Sequence, residues 1–392
     1  MSHTNEKLGR ELSGLQMAAI AVGVIGVLAA GFGWTQDKDR FWQAYLHSFF
    51  FWLAPTTGSL GLYMLHQLTG GRWGNSIRRS LEAGMRLLPW MALAFIPIFV
   101  QLSELYPWAR ADGAAHDTVL SHKAAWLNPT SFGIRAILYF AIWLVFSRVM
   151  LAASARRDQG DLAAAGGARL ASGPGVLLFS LTVTFAAMDW AMSLEPKWFS
   201  TMYGPIFLVG GALQTMCMCI LFGAWLRKRE PFVKVYSSER FHDLGTLSFA
   251  MVLLWAYTQF SQYLIIWSGN LNEETPWVHV RTSESWRSLA YGLVVFHFAV
   301  PFFLMLFRKH KEHAQILAGI AGLLVAMRFL DLFWYIGPAF EPKGLSIHWI
   351  DLVMPCAFGG FWVALFLQGF KNRPFVTDQD LELSGSLQHA HH

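Results

Sequence analysis

The sequence predicts an all-α integral membrane protein of about ten transmembrane helices, and three observations predict it. Of the 392 residues, 54% are hydrophobic and only 14% charged, too few charges for a water-exposed surface on a chain this long. Ten apolar runs reach the roughly 20 residues that cross a bilayer core. Basic residues gather in alternate loops between those runs.

In order, the runs are about 15–35, 41–68, 86–106, 130–153, 173–194, 203–226, 244–268, 286–307, 314–338 and 349–370. With the N-terminus inside, the inner segments hold about nineteen Lys and Arg and the outer segments about seven, which predicts both termini on the cytoplasmic side of a bacterial inner membrane. Residues 1–14 form a short cytoplasmic lead, 15–370 the membrane domain and 371–392 a cytoplasmic tail expected to be disordered. The first run is longer than an ordinary signal core and is read as a retained span. The net charge of +5 belongs to this loop pattern and calls for no nucleic acid.

The spans repeat. Gln101-x-Ser103 near the end of the third run matches Gln259-x-Ser261 in the seventh. Arg135-x-x-x-Tyr139 opens the fourth run as Arg287-x-x-x-Tyr291 opens the eighth. Asp189 precedes Pro196 by seven residues, as Asp331 precedes Pro338. Three matches in order predict a duplication, about 41–196 and about 203–338. Four helices per copy preserve orientation, giving two parallel-repeat four-helix bundles with the first and tenth helices peripheral.

An ionisable side chain at bilayer depth costs about 2.5–3.5 kcal/mol even on insertion scales, so each needs a partner, water or a task. The candidates are His47, Glu104, Arg135, Asp189, Arg287 and Asp351 in the outer thirds of their helices, with His297, Arg328 and Asp331 deeper. Arg328 and Asp331, three residues apart, share a helix face and are placed for an internal ion pair. Tyr257, Gln259, Gln262 and Tyr263 extend the polar stripe. Buried ion pairs that fix helix register explain such residues as well as a proton path or a quinone pocket does, above all near helix ends; Asp189, His297, Arg328 and Asp331 fit that structural role least well.

Other chemistry finds little footing. His47 and His297 differ in depth, against a bis-histidine haem. Cys217, Cys219 and Cys356 lack zinc or iron–sulfur spacing and read as packing residues. Gly58-x-x-Gly61, Gly210-Gly211 and Gly319-x-x-Gly322 read as close helix packing. No phosphate loop or catalytic triad is present.

The segment Met188-Asp189-Trp190-Ala191-Met192-Ser193-Leu194-Glu195-Pro196-Lys197-Trp198-Phe199-Ser200-Thr201-Met202-Tyr203-Gly204 resembles the end of the fifth helix in ActF-type subunits of alternative complex III, a quinol:cytochrome c oxidoreductase. Trp42-Gln43-Ala44-Tyr45-Leu46 through Gly61, and Leu127-Asn128-Pro129 leading to Arg135, are similar to the same family and to the wider polysulfide-reductase-like (NrfD-like) group. The resemblance implies a ten-helix subunit with paired four-helix bundles and no redox cofactor of its own. It implies quinone binding or proton conduction here, and haem c and iron–sulfur clusters on partner subunits: an iron–sulfur subunit, a multihaem cytochrome c and a homologous quinol-oxidising membrane subunit. A quinone-reactive anchor of a molybdopterin oxidoreductase and a secondary transporter stand as alternatives.

Overall fold

In a computed structural model, residues 3–110, 118–161 and 163–376 are described, and all regular elements among them are helical. The chain is a multi-pass membrane protein. Eight helices are long and apolar enough to span: α1 (His3–Gln36), α5 (Pro129–Asp158), α6 (Ala163–Trp190), α7 (Tyr203–Leu226), α8 (Ser238–Gly269), α9 (Ser285–Leu306), α10 (Ala314–Ile336) and α11 (Ile350–Lys371). Helices α3 (Arg72–Met85) and α4 (Leu88–Val100), bent by 40° at their junction, are long and apolar enough to span only when taken together. Pro89 accounts for the bend, because it has no N–H to continue the helix across Arg86 and Leu87. Helix α2 (Lys38–Thr69) is 32 residues long but too polar to count by hydropathy. It is buried along most of its length among other helices, so its polar groups meet protein rather than lipid. Most of the predicted tail, 377–392, lies outside the described residues.

Local signals set several helix ends. Asp37 caps α2 through the Arg40 amide at 2.9 Å, and Gly70, at φ 68°, ends it. Asn128 caps α5 ahead of Pro129. Pro55 leaves the Phe51 carbonyl inside α2 without its intrahelical donor. The Gln214 amide of α7 supplies the replacement at 2.9 Å.

Helices α2 and α7 lie side by side at the centre, where a side chain at Gly58 would collide with Thr215 and the Gly211 carbonyl. Helix α6 packs on α2, α5 and α7, while α10 packs on α7 and α2. Helices α1 and α11 form an antiparallel pair along one flank: Gly26 faces Ala357 and Gly33 faces Ile350. That pairing brings the start of α1 and the end of α11 to the same end of the bundle, where Lys371 bonds Ser13 and Gln16. The Gly319-x-x-Gly322 expectation is corrected. Nothing crowds Gly319, and Gly322 meets only Leu221 at 3.9 Å, because this face of α10 does not approach a neighbouring backbone.

Candidate functional site

The predicted residues separate into distinct clusters. Asp189 ends α6, 1% exposed, and receives four donors. Its Oδ1 accepts from Trp126 Nε1 and Arg135 Nη2, both at 2.9 Å. Its Oδ2 accepts from Arg135 Nε and Tyr139 OH, both at 2.7 Å. The Arg135 guanidinium also lies 4.1 Å from the Trp126 ring centroid. Four donors fill the accepting capacity of a carboxylate, so this site is an ionic lock between α6, α5 and the loop before α5.

Asp331, on α10, is fully buried and bonded less completely. Arg328 pairs with it across one helical turn. Trp255 Nε1 donates at 3.2 Å and Gln259 Nε2 at 3.4 Å, the second a long bond. Gln259 Oε1 in turn accepts from Tyr335 OH. Arg328 Nε has no partner, and the guanidinium rests against Gly210, where any side chain would displace it. His297 stacks on Trp255 at 4.1 Å. Neither of its ring nitrogens makes a well-formed hydrogen bond; the Met327 carbonyl is the group it faces. It sits in a wide π turn, Leu293–Ala299, just before Pro301, whose missing N–H would have bonded the His297 carbonyl.

A cavity of about 40 Å³ touches Arg328 on one side and Trp143, Ala187 and Trp190 on the other, reaching toward the Asp189 helix. At roughly 10–15 Å³ per water on this measure, it has room for about three waters and none for a quinone ring.

A third cluster surrounds Asp351 of α11, which accepts from Arg40 Nε at 3.0 and 3.1 Å. Arg40 also reaches Glu341. His47 lines the same small pocket and bonds the Phe329 carbonyl at 3.1 Å. Arg40 lies just before the second apolar run, which begins at about residue 41, yet it is buried.

Several expectations are corrected. Glu104 is exposed and lines a polar cleft with Asp39 and Arg110, because the third span stops at Val100 and the chain turns at Gln101. Arg287 is exposed and has no counterpart to the Arg135–Asp189 pair; its place beside Asp331 is taken by Arg328. Tyr257 and Tyr263 face outward, 64% and 48% exposed, since the helical turn that points Gln259 and Gln262 inward points them away.

Two buried groups escaped the sequence reading. Arg281, at the end of the short helix Thr275–Arg281 in the connection after α8, is fully buried, pairs with Glu195 and donates to the Tyr335 carbonyl at 2.8 Å. Trp277 beside it stacks on Trp198 at 4.2 Å, so this loop closes over the Asp331 end of the bundle. At the terminal end, Arg78, Arg79, Glu82 and Asp158 form a buried ionic cluster. The Arg79-x-x-Glu82 spacing was the available signal. Among the described residues no group of three or more His, Cys, Asp or Glu is arranged to hold a metal ion. No protein-family model matches the chain, and no curated protein matches it.

Proposed function

We propose that the chain is a membrane subunit of a respiratory quinol:cytochrome c oxidoreductase of the alternative complex III type. It sits in a bacterial inner membrane with both termini cytoplasmic, and its own contribution is proton conduction and scaffolding. The observation that carries this reading is the Asp331 cluster: a buried carboxylate with one long bond, a histidine without a well-formed hydrogen bond, and a guanidinium with a free Nε that lines a cavity with the volume of about three waters.

Such a group can change protonation without unfolding its surroundings, because part of its bonding is weak and its counter-ion is held only by Asp331. Arg328 is the counter-ion of the carboxylate. A proton arriving through cavity water neutralises Asp331 and releases the guanidinium, whose free Nε can turn toward the cavity. Loss of the proton restores the pair. The cavity volume favours this role over quinone binding at the same place. Electron transfer belongs to partner subunits that carry haem c and iron–sulfur clusters, and quinol oxidation to a homologous membrane subunit.

Purification of the tagged full chain from its native membrane tests the assignment. Co-purifying multihaem cytochrome c and iron–sulfur subunits are the expected result. A molybdopterin subunit in their place, or the chain alone in stoichiometric purity, contradicts it.

A further inference from the structure

An apolar groove of about 720 Å³ runs between α1, α2, α4 and α11. Met354 and Gln368 both line it, and fourteen residues of α11 separate them, roughly 21 Å at 1.5 Å per residue. One leaflet of the bilayer core is about 15 Å deep, so the groove is long enough to take an entire acyl chain. Its walls are almost wholly hydrocarbon, with Gln16 and Gln368 at the end where the first and last helices meet.

That end is cationic. Lys371 Nζ donates to Ser13 Oγ at 3.0 Å and Gln16 Oε1 at 2.5 Å. Arg86 directly precedes the groove residue Leu87 and lies against α11, where a methyl group at Gly369 would sit 3.2 Å from its Cδ. Its Nε is buried without a hydrogen-bond partner, and it enters no ion pair among the described residues. The neighbouring carboxylates are already engaged. Glu82 and Asp158 are shared by Arg78, Arg79 and Arg373, so this group holds one cation in excess before Arg86 is counted.

We propose that this end of the groove binds the phosphate of an anionic phospholipid, held by Arg86 and Lys371, with an acyl chain laid between α4 and α11. Charge complementarity selects this occupant: a phosphate satisfies the unpartnered guanidinium, whereas a quinone head is neutral and leaves it unpaired. The proposal does not depend on the respiratory reading.

The test reconstitutes the full chain in bilayers of phosphatidylcholine and phosphatidylglycerol and identifies retained lipid by native mass spectrometry. Phosphatidylglycerol should be enriched roughly thirtyfold over its share of the bilayer, the scale expected for two basic contacts. Arg86→Gln combined with Lys371→Gln should return the ratio to that of the bilayer, and Arg86→Lys should keep most of the preference. Ala94→Phe, which narrows the groove without altering charge, should lower total retained lipid. If the wild-type chain holds the two lipids in the bilayer ratio, or holds added ubiquinone in place of phospholipid, the proposal fails. That wild-type comparison decides even if the double variant does not fold.

Discussion

Asp189 and Asp331 each stand seven residues before a proline, each is buried, and each faces an arginine, yet their surroundings differ in kind. Asp189 is saturated by donors from three side chains, and its arginine comes from the neighbouring helix. Asp331 draws its arginine from its own helix and keeps one long bond; of this cluster only Arg328, whose Nε has no partner, lines the small cavity. A carboxylate tied between helices clamps them, whereas one paired within its own helix leaves that task to its other bonds, and in the proposal above it exchanges protons. The comparison teaches that equal spacing from a proline does not give equal surroundings; the source of the counter-ion differs.

The largest effect that would break this comparison is expected at the two buried pairs. Asp189→Asn removes the charge that Arg135 needs inside the bundle, and breaking one side of a buried pair costs about 3–5 kcal/mol. The purified variant should unfold at much lower denaturant than wild type, and Asp331→Asn, which strands the more deeply buried Arg328, should lose at least as much. A negligible loss at either position would mean that its pair does not hold the fold. Gly58→Ala places a methyl group against Thr215 and the Gly211 backbone, and overpacking of about 1–3 kcal/mol should lower the thermal midpoint of the folded bundle.

Gln214→Leu strands the Phe51 carbonyl next to Pro55. An unsatisfied buried acceptor costs about 1–3 kcal/mol, and Gln214→Glu, which brings no amide donor, should not rescue the midpoint. At the small end, Arg287→Gln should change stability by no more than about 0.5 kcal/mol, as expected of an exposed position. A cost comparable to that of Arg135→Gln would mean that the two arginines share one role.

Much of this arrangement was legible in residue spacing. Arg328 and Asp331, three apart, had to share a face, and a run as specific as Met188 to Gly204 marks a constrained segment. In the structure that segment carries Asp189, the Glu195 pair with Arg281 and the Trp198–Trp277 stack. Arg40, Arg78 and Arg79 were not legible, because counting basic residues by loop assigns every charge near a span end to water. Their burial depends on which helices close over them, and that is a tertiary fact. Arg135 and Arg287 open their helices with the same motif, but only one finds a carboxylate. Asp331 instead pairs with Arg328, and the residue at the same spacing before Asp189 is Ala186. Glu104 was misplaced because the break at Gln101 ends the third span earlier than its apolar run suggests.

The most direct test of the central claim is the number of protons released or taken up per electron when the assembled complex carries Asp331→Asn. Asparagine keeps the shape and most hydrogen bonds of the site but cannot titrate. In sealed vesicles the variant complex should keep its subunits and still reduce cytochrome c, while its proton count per electron falls below that of wild type. An unchanged count in an intact, active complex would contradict the proton role of Asp331 and leave both aspartates as clamps.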